Sequence, residues 1–467
     1  MRSDATVLVV GAGPAGVAAS VSAARLGAHV TLVEKEGRVG GLATTGLVAP
    51  MCSAFFRGEQ VVRGIFQEVV EGLQKDGGGA GHVLYSGTSR GWGGAYTPFD
   101  PAVLQRVEVR LLLESGVRLL LHTHCVDART EDGYVTRVQL RAKSTDMYLE
   151  PSLVVDATGD ADVAATAGFD YQKGRESDGL MQPASLMMRV GGVDTERLRQ
   201  FVRDNPREFA WSAEIEISRD RAPSGASVRG VIASGFRNAI RASRALGELY
   251  FGRSRFAFST GLRRGEVFLN ATRVNDIDGT SSEDLTRAEI DGRAQAFSLM
   301  LFLREHAAGF EDSWLIATGP AVGVRETRRI VGQYELTLDD VIGGAAFEDG
   351  IAVGGYPVDV HEVASEWGRA TQKESVWIDL EAPYDVPFRC LVPRKADNLL
   401  VAGRCISCSH EALGSARVQP IAMATGEAAG AAAAMACTRG LKEIGKIDVA
   451  DLREQLARQG AYLRDAS

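Results

Sequence analysis

The stretch that most constrains this chain is Gly11-Ala-Gly-Pro-Ala-Gly16, a G-x-G-x-x-G turn bracketed by strand and helix patterns. Before it runs Thr6-Val-Leu-Val-Val10, a continuous apolar run of the kind shown by a strand buried on both faces. After it, Val17 to Leu26 is rich in alanine, carries Arg25 in its last turn and stops at Gly27. That pattern predicts a helix with glycine just past its C-terminus. His29-Val-Thr-Leu-Val33 reads as a second strand and ends on an acid, Glu34. The whole is a βαβ unit. Gly11 permits the tight turn and Gly13 lets the backbone approach a pyrophosphate. Pro14 and Ala15 complete the turn as cofactor-binding candidates, the helix N-terminus offers unpaired N–H groups to the phosphates, and Gly16 lets that helix pack closely on the strands. Glu34 lies 18 residues past Gly16, near the ~20 expected for a carboxylate that binds ribose hydroxyls.

The turn alone leaves FAD and NAD open. The residues after Glu34 are Lys35-Glu-Gly-Arg-Val-Gly-Gly-Leu-Ala-Thr-Thr-Gly46, a second glycine-rich turn carrying Lys35, Arg38 and Leu42. Here the chain resembles the glutathione-reductase-like group of FAD flavoproteins. In that group a G-G pair after the ribose-binding acid lies along the ADP moiety and leads toward the flavin. Gly40 and Gly41 match that pair, so the resemblance implies FAD.

Further on, Val61 to Leu73 turns helical, and Asp76-Gly-Gly-Gly-Ala-Gly81 reads as a flexible surface loop. Asp100 and Pro101 predict an N-cap and first residue for a helix ending at Glu114-Ser-Gly116. Strand Val117 to Thr123 follows, and the runs Tyr134 to Ala142 and Met147 to Leu149 suggest a β-meander. Leu153-Val-Val-Asp-Ala-Thr-Gly-Asp160 resembles the motif by which such flavoproteins return the chain to FAD, through Ala157, Thr158 and Gly159. The resemblance also implies a backbone contact to adenine near Cys125–Val126. Residues 171 to 387 lose the βαβ rhythm and hold amphipathic helices such as Thr286 to His306. Asn398-Leu-Leu-Val-Ala-Gly-Arg404, a connector from Cys405 to Pro420 and a small-residue helix from Ile421 to Ala436 resemble the last FAD-binding element. Gly403 and Arg404 would touch the cofactor, and Gly426 and Gly430 would let the helix pack closely. Together with Gly174-Arg…Asp178-Gly-Leu-Met-Gln-Pro183, Arg325-Glu-Thr-Arg-Arg329 and His410-Glu-Ala, these motifs resemble the FAD-dependent oxidoreductases from Val7 to about Ala436. The expected fold is α/β. A discontinuous Rossmann-type FAD-binding domain covers 1–170 plus 388–440. An inserted α+β substrate or cap domain covers 171–387, and a helical C-terminal extension covers 441–467.

Composition narrows the partners. A chain of 467 residues suits two or three domains. Its 45% apolar and 24% charged content is that of a soluble globular protein. A formal charge of −8 with no long basic patch argues against nucleic acid. Six cysteines spread over this length do not make a disulfide framework. No secretory signal pattern opens the sequence, and Ala428 to Ala436 is too short to span a bilayer. The expectation is a cytoplasmic protein with a small-molecule substrate, no nucleic-acid or membrane partner and no metal site. A homo-oligomer is left open.

Flavin chemistry needs a proton carrier near N5 and partners for substrate charge. His410, in the loop between the last strand and the closing helix, is the first candidate, with a packing or capping role as its alternative. His361, at the end of Tyr356-Pro-Val-Asp-Val-His361, is the second. His29, His82, His122, His124 and His306 have no motif context and read as structural or surface residues. Arg325, Arg328 and Arg329 form a cation cluster; if helical, Arg325 and Arg329 share a face. They could hold an anion or pair with Glu326 or Glu335. Arg417 is a further cation candidate. Cys405-Ile-Ser-Cys408 reads as buried small residues ahead of a redox pair, and Cys52 as a residue near the flavin. The expected activity is hydride transfer between the flavin N5 and an alcohol, hydroxy acid, sugar or amine. Fumarate-reductase-like C=C reduction, flavin monooxygenation and an electron-transfer subunit are the alternatives.

Overall fold

Thr6–Val10 becomes the middle strand of a five-stranded parallel sheet in the computed structural model, which describes residues 6–85, 94–247, 249–250, 252–361 and 375–465. Residues 1–5 and 86–93 of the expected 1–170 unit lie outside these. So do 248, 251 and 362–374 of the 171–387 unit, and 466–467 at the end. The strand order is Leu399–Val401, Leu153–Asp156, Thr6–Val10, His29–Val33, Arg118–Leu120, with every neighbour parallel. Both ends of the chain supply strands to this sheet, so the Rossmann-type unit is discontinuous in sequence. The apolar runs read above are its buried interior, as a sheet covered on both faces requires.

The nucleotide helix Pro14–Arg25 starts with proline in its first turn and has Gly13 as N-cap, which has no side chain to cap the first N–H groups. Asp100 caps the helix Pro101–Glu114, accepting from the Ala102 amide at 3.0 Å. The expected meander is a three-stranded antiparallel sheet of His124–Glu131, Tyr134–Arg141 and Asp146–Leu149.

A six-stranded antiparallel sheet lies within residues 187–318. Its order is Trp211–Ile217, Val228–Gly235, Phe256–Thr260, Val267–Asn270, Met187–Gly191, Trp314–Thr318. A core of its own, rich in phenylalanine, packs it against the helices Thr195–Asp204 and Ser282–His306. Leu336, Val341, Ile351, Val360 and Leu391 instead join the core of the parallel sheet.

Two local expectations change. Arg325 to Arg329 is not helical: Arg328–Ile330 is a strand paired antiparallel with Tyr171–Lys173. Long-range pairing overrides the i,i+4 pattern. The connector after Cys405 contains a short helix, His410–Ala416, capped by Ser409, whose Oγ accepts from the Ala412 amide at 3.1 Å. The closing helix runs from Gln419 to Arg439. Among the described residues no helix is long and apolar enough to cross a membrane.

Candidate active site

One cavity of about 610 Å³ runs from the glycine turn to the inner face of the six-stranded sheet. At the nucleotide end the glycines divide by task. Gly11 has φ +95°, and a Cβ there would lie 2.5 Å from the Ala157 carbonyl oxygen. A Cβ on Gly16 would lie 1.7 Å from the Gly11 oxygen. Both are bare because the protein's own backbone needs the room. Gly13 differs. Its φ is −73°, and a Cβ would meet only the Gly41 Cα, at 3.9 Å. Among the described residues nothing requires glycine there, and its open face borders the cavity that it lines. That is the cradle a pyrophosphate needs.

Glu34, buried against the same turn, accepts from the Ala12 amide at 2.7 Å and the Glu36 amide at 2.9 Å. Burial raises its pKa and the two amides pull it back. Glu34 lines the same cavity. The A-T-G-D turn is locked from behind by Asp156. That carboxylate accepts from the Thr158 amide (3.1 Å) and hydroxyl (2.7 Å) and from the Ala164 amide (2.9 Å). Burial pushes its pKa to about 6. Arg404 pairs with Asp160 at 2.7 Å beside Gly159.

All the expected cofactor residues line this cavity except Gly16, Gly40 and Val126. Gly40 is a structural turn residue: its φ is +96° and its amide donates to the Ala12 carbonyl at 2.8 Å. Val126, on the meander strand His124–Glu131, is not among the residues lining the cavity, and its side chain is 39% exposed. Just before that strand the Thr123 amide donates to the Glu34 carbonyl at 2.9 Å.

The far end is lined by Met187, Phe268 and Asn270 of the six-stranded sheet, and by Tyr356 and Trp377, which pack edge to face. Among these stand His361 and Asp359, two apart on the strand Val358–His361 and so on one face. Nε2 of His361 lies 3.3 Å from Oδ2 of Asp359. Burial and the Arg325 guanidinium push the imidazole well below its usual pKa, against the pull of Asp359. Burial alone would raise the Asp359 carboxyl, but His361, Arg417 and Arg325 hold it below the ordinary range. We take the pair as neutral imidazole beside carboxylate.

The expected catalytic residues separate. His361, Arg325 and Arg417 line the cavity. His410 does not: the helix capped by Ser409 turns it toward buried Glu326, with Nδ1 2.8 Å from Oε2, off the line of a hydrogen bond. The arginine cluster also splits. Arg328 pairs with Asp162 at 2.8 Å and Arg329 with Glu326, leaving Arg325 to face the cavity. Cys405 and Cys408 are buried thiols, and Cys405 lies 3.5 Å from the Ala402 carbonyl. Sequence reasoning missed Arg253, Arg255 and Asp359 as cavity residues. Asp359 carried a signal, its i,i+2 spacing to His361; the two arginines sit on a distant loop and strand edge with no local pattern.

A family model described as FAD dependent oxidoreductase matches residues 6–456. No curated protein matches the chain significantly. Similar solved structures include a geranylgeranyl bacteriochlorophyll reductase-like protein from Thermoplasma acidophilum. It is 13% identical, with 98% of this chain and 84% of that one covered, at a TM-score of 0.47. The rebeccamycin biosynthetic enzyme REBC is 12% identical, with 98% and 74% covered, at 0.48. The flavin-dependent brominase Bmp2 is 11% identical, with 97% and 82% covered, at 0.45.

Proposed function

The chain belongs to the family of FAD-dependent oxidoreductases, its cofactor is FAD, and we propose that it oxidises a small polar organic molecule at the far end of the cavity with His361 as the proton acceptor. One observation carries the reading. The cavity lined by the glycine turn and Glu34 is also lined by the His361–Asp359 pair, which supports a reading in which cofactor and proton carrier share it. The cofactor would be held by Gly11, Gly13, Gly41, Glu34, Gly159 and Gly403, with the ADP moiety laid along Gly41 in the glutathione-reductase-like manner.

FAD, when bound, supplies the two-electron acceptor. His361, neutral and buried, takes the proton of a substrate O–H or N–H as the adjacent C–H gives up its hydride. Asp359 orients the imidazole and stabilises the imidazolium that results. Dehydrogenation of an alcohol, hydroxy acid, sugar or amine calls for a proton acceptor of this kind beside the substrate. An electron-relay subunit has no need of such a group. All six cysteines are free thiols, which supports a reducing, cytoplasmic setting.

The test is anaerobic flavin bleaching by stopped flow across a panel of those four substrate classes. His361→Ala should keep its FAD and reduce about 10²- to 10⁴-fold more slowly, while His410→Ala stays near the parent rate. A His361→Ala protein that bleaches at the parent rate removes His361 from the chemistry.

A further inference from the structure

The helix Ser282–His306 carries two apolar faces, and the fold uses one of them. Its buried face, from Ala296 through Leu299 to Leu303, packs on the six-stranded sheet. On the opposite side stand Ile290, Ala294, Phe297 and Leu301, spaced i, i+4, i+7 and i+11. At about 100° per residue these four form one stripe along the helix. Ile290 is 65% exposed, Phe297 61% and Leu301 68%, and Ala294 is exposed between them. Nothing among the described residues covers them. Single exposed apolar side chains need no explanation, whereas a row at the a/d spacing of a coiled-coil seam marks a contact surface.

The stripe is complementary to itself in one orientation. A two-fold axis midway between Gln295 and Ala296 sets Ile290 opposite Leu301, and Ala294 opposite Phe297, of an antiparallel second copy. The small residue then faces the large one, and every contact occurs twice, as a two-fold interface requires. The ends of the stripe agree. On one flank the same axis brings Arg287 of each copy beside Glu305 of the other. Arg287 holds Asp284 of its own helix at 3.1 Å and still leaves 45% of its side chain exposed. Glu305 is an exposed carboxylate whose neighbour His306 lies 3.9 Å away. Arg304, which the axis would otherwise set against Arg287, is turned to the Ser313 carbonyl at 2.7 Å. A parallel pairing would instead stack Phe297 on Phe297 and set Arg287 on Arg287 and Glu305 on Glu305. The antiparallel one also lays each helix N-terminus beside the other's C-terminus, where the dipoles attract.

We propose that the protein dimerises through this helix, its exposed stripe packing antiparallel against the same stripe of a second copy. The stripe is about 17 Å long, short for a standard interface, so the dimer forms at micromolar rather than nanomolar concentration. Leu285 and Glu289 line the FAD cavity from the same helix, whereas none of the four stripe residues does. Variants in the stripe therefore leave the cofactor site intact.

The experiment is sedimentation velocity on the FAD-loaded protein from about 1 to about 100 μM. The sedimentation coefficient should rise with concentration from that of a monomer to that of a dimer. Leu301→Glu should move this transition at least about tenfold upward in concentration, with FAD content and circular dichroism unchanged. Arg287→Glu should weaken the dimer about fivefold or more, and Arg287→Glu combined with Glu305→Arg should restore it to near parent strength. The two residues lie 18 positions apart, about 27 Å along one helix, so only a contact between copies gives that rescue. A protein that stays monomeric throughout overturns the proposal. So does a dimer indifferent to Leu301→Glu, which would use another face, and a dimer that the charge exchange does not rescue, which would rule out the antiparallel register. A monomer that floats with phosphatidylglycerol vesicles in a density gradient, and ceases to float as Leu301→Glu, overturns it by assigning the stripe to a membrane surface.

Discussion

Gly13 and Gly16 are three residues apart in one motif, yet they are glycine for different reasons. A side chain on Gly16 would strike the Gly11 carbonyl, whereas one on Gly13 would project into the cavity. Gly13→Val should therefore leave the apoprotein folded and abolish FAD retention. The checks are flavin released per chain on denaturation and the melting temperature of parent and variant apoproteins. Normal flavin content would show that the turn does not hold the pyrophosphate. The fate of single residues also shows where sequence is legible. The motif glycines and Glu34 act within one βαβ unit, so spacing along the chain nearly equals arrangement in space. His361 meets Arg325 and Arg417 only because a strand, an extended segment and a helix terminus converge from separate parts of the chain. No local pattern encodes that convergence. His410 shows the converse: its loop borders the FAD element, but the Ser409 cap turns the side chain to Glu326.

At the scale of elements, the cofactor unit is closed by one helix lying on another. Gly426 and Gly430 of the helix Gln419–Arg439 approach the backbone of the nucleotide helix so closely that a Cβ would lie 2.0 Å from the Ala15 oxygen and 2.1 Å from the Ala19 oxygen. Two effects compete in Gly430→Ala. Helix propensity favours alanine by about 1 kcal/mol. Overpacking typically costs about 1–3 kcal/mol, and here the obstacle is backbone, which cannot swing aside. Packing should win, with net destabilisation of up to roughly 2 kcal/mol in urea unfolding of the holoprotein. Gly343, in the helix Leu338–Gly343, has nothing within 4 Å of its would-be Cβ. Gly343→Ala should be neutral or mildly stabilising. A stabilised Gly430→Ala would mean that the two helices part freely. This contact was legible, because small residues at helical spacing declare a close approach. The Arg325–Arg329 segment was not. Its strand pairs with Tyr171–Lys173, more than 150 positions away, and i,i+4 spacing carries no information about such a partner.

At the scale of the whole molecule, a few buried carboxyls tie global stability to pH. Glu108 lies on the helix Pro101–Glu114, fully buried behind the turn at Gly40, with neither carboxyl oxygen hydrogen-bonded among the described residues. Burial pushes its pKa to about 8. Glu427, on the closing helix, is pushed to about 7 by burial, although the Ile65 amide donates to it at 3.0 Å. The sequence gives the apolar face that Glu108 interrupts, Leu104, Val107, Leu111 and Leu112, but not the missing partner, which depends on how the Gly40 turn folds against it. In the unfolded chain both groups titrate near a pKa of about 4.3. Between that value and the raised native ones, the folded protein holds protons that the unfolded chain has released. Stability contributed by these groups is therefore greatest on the acid side and declines as pH rises from about 4.5 toward 8. Glu108→Gln keeps the shape of the protonated acid and removes its titration. Relative to the parent, this variant should gain stability from pH 5 to about pH 8 and level off beyond, with Glu427 leaving a smaller slope in both. Urea unfolding at pH 5, 7 and 9 decides the matter. A difference between parent and variant that stays constant across that range would mean that Glu108 keeps its ordinary pKa in the fold, through a polar partner reaching it within the core.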